Sequence, residues 1–170
     1  MNLYDIPIHK KSPSVVNAII EIPKGTNVKY EYDVEYDIFK VDRTLCSAMN
    51  YPANYGFIPN TLADDEDPLD IVVYGDSPMN MGTLIECNVI GILDMDDGDQ
   101  KDWKVLATPV SNREKYKFLR DIDPVFLDVC KNFFAHYKDI DSKKGTNVYD
   151  WHSSARAREI IEESNLTNKQ

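Results

Sequence analysis

Strand-like stretches fill the first two-thirds of this 170-residue chain, and helical periodicity begins only after Asp123. That order restricts the fold more than any other feature, because a run of strands followed by helices makes an α+β arrangement rather than alternating α/β units. Val15–Ile22 is rich in β-formers and ends at the turn signal Pro23-Lys24-Gly25. Val28–Asp33 alternates strictly, with Val28, Tyr30 and Tyr32 on one face and Lys29, Glu31 and Asp33 on the other. Residues 36–41, 71–74, 83–93 and 103–108 are further expected strands, and short turns between antiparallel strands favour a barrel over an open sheet. Asp123-Pro124 then offers an N-cap with proline at the first helical position. After it, Phe126, Val129, Cys130, Phe133 and Tyr137 recur at spacings of three and four, one apolar face of a helix. A second helix is expected over about residues 153–163. No repeat or long linker divides the chain, so residues 1–170 read as one α+β domain, a small barrel carrying two helices.

Charge is the second constraint. Five carboxylates crowd into Asp64-Asp65-Glu66-Asp67-Pro68-Leu69-Asp70, and five more lie between Asp94 and Asp102, out of 29 acidic residues. At ~4 Å each like-charge pair costs roughly 4 kcal/mol at an effective dielectric of 20, so such groups spread into water or share cations. Oxygen-only ligand sets suit hard cations, above all Mg2+, which is often completed by phosphate. Neither segment is an EF-hand, since the glycine and glutamate positions of that loop are missing. Pro68 stiffens the first segment by fixing its own φ and restricting Asp67. The plain alternative for Asp65-x-Asp67-x-x-Asp70 is a solvated acidic loop.

The net charge of −10 argues against a nucleic-acid binder or a protein held on an anionic membrane, since both need a basic face. Cys46, Cys87 and Cys130 are odd in number and widely spaced, which points to reduced thiols rather than a disulfide framework or a zinc site. Residues 1–7 show no basic region followed by an apolar run, and no apolar stretch approaches the ~20 residues of a membrane helix. The expected location is the cytoplasm.

Basic and hydroxyl groups recur beside the acids. Asp102 and Lys104 stand two apart at the start of an expected strand and would share a face, as Lys29 and Glu31 do elsewhere. Each pair alone reads as a surface ion pair of little worth. Two such faces together with two acidic loops fit a site in which metals and cations hold a polyanion. Tyr51 and Tyr55 add hydroxyls that can donate to phosphate oxygens. Tyr137-Lys138 ends the first expected helix, where a lysine also suits the helix dipole. His9, His136 and His152 show no ligand spacing and read as structural or exposed.

Taken in order, Lys29-Tyr30-Glu31, Val41-Asp42-Arg43, Tyr51-Pro52-x-Asn54-Tyr55-Gly56, Asp65-x-Asp67-Pro68-x-Asp70, Asp97 through Asp102 to Lys104, and His136-Tyr137-Lys138 resemble the motifs of the family I soluble inorganic pyrophosphatases. The likeness runs from about Val15 to Lys138, and the length resembles the short bacterial branch. The resemblance implies a five-stranded OB-like barrel with helices and Mg2+-dependent hydrolysis of pyrophosphate to two phosphates, with several ions per site. It also implies residue roles. Asp65, Asp70, Asp97 and Asp102 match the metal ligands, and Asp67 matches the base that takes a proton from the attacking water. Lys29, Arg43, Tyr55, Lys104, Tyr137 and Lys138 match the phosphate-holding groups, while Glu21, Glu31 and Tyr51 fit supporting positions. A homo-oligomer, typically a hexamer, is implied as well.

Three details depart from that pattern or stay open. Glu66 stands where a small residue is common, Trp103 is bulky between Asp102 and Lys104, and Asn132 occupies a helix position where histidine is familiar. A non-catalytic barrel that holds ions or a nucleotide is the rival reading, because one barrel hosts many functions. Asp67 separates the two, since a pure binder needs no proton acceptor. Hydrolysis of nucleoside triphosphates ranks lower, because no G-x-x-x-x-G-K-[ST] loop is present.

Overall fold

The computed structural model describes residues 2–142 and 144–169. In chain order its strands are β1 (Val15–Ile22), β2 (Val28–Asp33), β3 (Ile38–Thr44), β4 (Asn54–Phe57), β5 (Asp70–Val73), β6 (Leu84–Asp97), β7 (Gln100–Lys101), β8 (Lys104–Pro109) and β9 (Thr146–Ser153). Helix α1 (Pro124–His136) lies between β8 and β9, and α2 (Ser154–Ser164) follows β9. Strands β1, β4, β5, β8 and β6 close into a ring, with β6 returning to pair with β1. All ring pairings are antiparallel except β5 with β8, which is parallel. Strands β7 and β9 extend β6, and β2 with β3 forms a separate hairpin.

Strand β1 shows why an apolar run without alternation can still be a strand. Val16, Ala18 and Ile20 point into a core shared with Ala157, Ile160 and Ile161 of α2, while Ile19 faces Tyr32 and Phe57 on the other side. A strand covered on both faces has no polar face to display. Helix α1 begins as expected: Asp123 accepts from Val125 N at 2.9 Å, and Pro124 holds the first position. It buries Cys130, Phe133 and Phe134 against the barrel, and each phenylalanine so covered contributes roughly 1.5–3 kcal/mol. Val129, expected on the apolar face, is 47% exposed, because the buried stripe is narrower than the spacing of apolar residues.

Other boundaries differ from expectation for physical reasons. The third strand is shifted toward Arg43 by a turn at residues 34–37, where Asp37 has φ 54°. Strand β4 was hidden behind Pro52, Asn54 and Gly56, which read as turn residues. Gly56 is needed there for space, since a Cβ would sit 1.8 Å from the Ile19 carbonyl oxygen of β1. Strand β6 runs past Leu93 to Asp97, carrying acidic residues into the sheet. Strand β9 is largely polar and follows α1, so strands are not confined to the first two-thirds.

Candidate active site

One end of the ring gathers the chemistry. Asp70 opens β5 and Lys104 opens β8, and the parallel register makes them direct neighbours. Glu21 lies near the end of β1 and Asp97 ends β6. Of the site residues expected from sequence, all but Arg43, Tyr51 and Lys138 line a single cleft of about 250 Å³.

Lys104 sits at its base, 3% exposed. Its Nζ donates to Asp70 Oδ2 (2.5 Å), Asp102 Oδ1 (2.6 Å) and the Tyr55 hydroxyl (3.1 Å). Burial opposes charge on this ammonium, but Asp102 and Asp70 together outweigh it and hold its pKa well above the usual lysine range. Two carboxylates thus share one cation. Burial, helped by repulsion from Asp70, pushes the Asp102 carboxyl up despite the attraction of Lys104. Trp103, in the two-residue link between β7 and β8, turns the other way. Its ring lies 5.2 Å from Lys101 Nζ and 5.5 Å from the Arg156 guanidinium, outside the cleft.

The acidic loop takes shape from local hydrogen bonds. Asp67 N donates to Asp65 Oδ1 (3.2 Å), Ala63 N to the Asp67 carbonyl (2.8 Å), and Glu66 sits at φ 70°. Leu69, 1% exposed, then anchors the chain, with its N–H donating to Thr61 Oγ1 at 2.9 Å. All three side chains are exposed, but Asp65 and Asp67 line the cleft and Glu66 does not. Burial first, then the charges of Asp65 and Glu31, raise the pKa of Asp67. Glu21 is affected more strongly: burial pushes its carboxyl up to about 8, although it accepts from Tyr32 N at 2.9 Å.

Lys29 on β2 bonds to Glu31, the neighbour expected on its face, and to Asp42 Oδ2 at 3.2 Å. Arg43 is its register partner on β3. Arg43 Nη1 lies 3.0 Å from Asp42 Oδ2, and its Nε faces Asp141 at 3.6 Å. Lys138 donates to Asp97, on the cleft wall. Tyr51 is packed behind the site, its ring 5.5 Å from Tyr55 and 4.7 Å from Phe133. His9, His136 and His152 face Glu86, Asp139 and Asp94, away from the cleft. Nothing in the sequence marks Tyr4, which the structure nevertheless brings to the cleft from the 3-10 turn Leu3–Asp5.

The lining fits hard divalent cations in kind. Its side-chain donors are carboxylates and phenols with two ammonium groups, and no imidazole or sulfur is among them. Among the described residues no three ligating side chains are already drawn together around one point. Lys104 and Lys138 instead hold Asp70, Asp102 and Asp97. The carboxylates outnumber those cations, and burial first, then neighbouring carboxylates, raises the proton affinity of Asp67 and Glu21.

The chain has extensive likeness to known proteins. A family model for inorganic pyrophosphatase matches residues 18–169. An inorganic pyrophosphatase of Saccharolobus solfataricus is 43% identical over 166 residues, covering 95% of this chain and 96% of that one. One from Campylobacter jejuni is 44% identical over 168 residues, covering 96% and 97%. The crystal structure of inorganic pyrophosphatase from Thermus thermophilus superposes with a TM-score of 0.94 at 34% identity, over 100% of both chains. The closed five-strand ring and the order of motifs around it thus have one explanation: this chain belongs to the inorganic pyrophosphatase family.

Proposed function

We propose that this chain hydrolyses inorganic pyrophosphate to two phosphates with Mg2+ as cofactor. The observation that best supports this is the interleaving of opposite charges in one cleft, where Asp65, Asp67, Asp70 and Asp102 face Lys29 and Lys104. Pyrophosphate is strongly anionic, so attack by water needs both neutralised charge and a nucleophile formed near neutral pH. Asp65, Asp70, Asp97 and Asp102 are the residues that would hold Mg2+, several ions per site, through hard oxygen donors. Bound Mg2+ supplies Lewis acidity, lowering the pKa of water and offsetting phosphate charge.

The remaining work belongs to the chain itself. Asp67 accepts the proton of the attacking water. The burial and neighbouring charge that raise its proton affinity suit it to that task. Lys29, Arg43, Tyr55, Lys104, Tyr137 and Lys138 bind and orient the two phosphates, with Arg43 able to grip one through two parallel hydrogen bonds. Glu21, Glu31 and Tyr51 hold neighbouring groups in place. As phosphate oxygens take over the donors of Lys104, Asp70 and Asp102 become available to cations.

Phosphate release by purified protein tests this reading, with pyrophosphate and ATP as parallel substrates, in Mg2+ and in excess chelator. Mg2+-dependent release from pyrophosphate alone is expected. Release from neither substrate by folded, Mg2+-loaded protein would favour the binding module. We further place the chain in the cytoplasm as a single-domain homohexamer. Exposed Val125 (66%) and Val129 (47%), beside Met49, Asn132 and Phe133 around a groove of about 440 Å³, support self-association through α1. No described helix is long and apolar enough to cross a membrane.

A further inference from the structure

Tyr4 lines the same cleft as Asp67 and Asp70 but comes from a turn outside the ring of strands. Several contacts fix it there. Its ring meets Phe57 and Tyr32 edge-on, with centroids 4.9 and 5.3 Å apart. Its carbonyl accepts from Asn60 N at 2.8 Å, and its N–H donates to Asn2 Oδ1 at 3.0 Å. Leu3 and Ile6 pack on Ile19, Tyr32 and Phe57, and Leu3 N donates to the Tyr32 hydroxyl at 3.1 Å. A turn held at so many points sets the position of the phenol as firmly as a strand would.

The hydroxyl itself is unspent. Among the described residues it donates to no protein group, although Glu21, Asp67, Glu31 and Asp70 all act on it electrostatically. Burial first, then those carboxylates, keep the proton on the phenol well beyond the usual tyrosine range, so the group is a donor at any physiological pH. A phenol fixed in the cleft wall with no protein acceptor is free to donate to a ligand oxygen in place of water. A metal ion offers no lone pair to such a donor, whereas a phosphate oxygen entering the cleft does.

We propose that Tyr4 is a substrate-binding residue, its hydroxyl donating to a phosphate oxygen on the Asp67 side of the cleft. The identity of that ligand as pyrophosphate, or its phosphate product, rests on the function proposed above. If only the ring mattered, as packing for Phe57 and Tyr32, the hydroxyl would be dispensable.

Tyr4→Phe separates the two, because it keeps the ring and removes only the donor. Two quantities are read in Mg2+: kcat and KM for pyrophosphate, and the calorimetric Kd for inorganic phosphate. Loss of a hydrogen bond to a charged acceptor is expected to raise KM and Kd about ten- to a hundredfold, with kcat within about twofold and Tm unchanged. Tyr4→Leu should weaken binding at least as much and lower Tm as well. Unchanged KM and Kd in Tyr4→Phe would overturn the proposal, and so would a fall in Tm large enough to account for weaker binding. Wild-type protein without turnover would refute the proposed activity, and the phosphate Kd would still decide the role of Tyr4. If the wild type bound no phosphate, both ideas would fall.

Discussion

Residues 64–70 and 94–102 each carry five carboxylates, yet the two segments neutralise them in opposite ways. The second is mostly strand, and a period of two sorts its charges. Asp94 and Asp96 share a face with Lys101, whose Nζ lies 2.6 and 2.9 Å from them, and Asp96 also accepts from the Tyr149 hydroxyl at 2.8 Å. Asp97, on the other face, is left for Lys138 and the cleft. A tight turn with Gly98 at φ 60° closes the β6–β7 hairpin. The first segment is a loop and has no such sorting. Asp65 and Asp67 enter the cleft with no ion-pair partner among the described residues, and only Asp70, at the first strand position, meets Lys104. Equal composition therefore yields a hairpin that pairs Asp94 and Asp96 within itself and a loop whose Asp65 and Asp67 have no ion-pair partner among the described residues. In the proposed site added cations are shared between the loop, through Asp65 and Asp70, and the second segment, through Asp97 and Asp102.

Lys104 is where the two segments meet, and removing it gives the largest expected change in stability. Lys104→Met leaves Asp70 and Asp102 facing each other without a counter-ion, at a cost of about 3–5 kcal/mol in chelated protein. Urea unfolding at neutral pH measures it, and saturating Mg2+ should restore part of the loss. A cost below about 1 kcal/mol would mean that the shared cation is not what holds the segments together. Lys101→Ala sharpens the contrast from the hairpin side. Lys101 is part-exposed, so the expected loss is about 0.5–1 kcal/mol, with kcat and KM within about twofold of wild type. A large drop in turnover there would show that Asp94 and Asp96 are not merely structural. The smallest effect belongs to Glu66, whose left-handed backbone strains any side chain. Glu66→Gly should gain about 0.5 kcal/mol, because relief of strain slightly exceeds the added entropy of the unfolded chain. Destabilisation would indicate an unrecognised contact of the exposed carboxylate.

Much of this was legible before any coordinates. Strand β1, strand β2 and both helices follow from composition, alternation and the Asp123-Pro124 cap, and Lys29 with Glu31 and Asp102 with Lys104 do share faces as spacing required. Strand β4 was not legible, because a close approach to Ile19 demands glycine in the middle of a strand, where glycine ordinarily signals a turn. Strand β9 escaped because only its Val148 and Trp151 pack against the core, leaving few apolar residues to mark it. Tyr4 could not be read at all. It reaches the cleft only through the docking of Leu3 and Ile6 on residues distant in sequence, and no local pattern encodes that contact.

In the proposed reaction the unpaired loop carboxylate Asp67 does the proton transfer that Asp94 and Asp96, paired with Lys101, cannot. Steady-state phosphate release by Asp67→Asn at saturating Mg2+ and pyrophosphate, with phosphate affinity measured alongside, tests it directly. A fall in kcat of about 10²–10⁴-fold is expected, with phosphate affinity largely kept. Turnover near that of the wild type would contradict it.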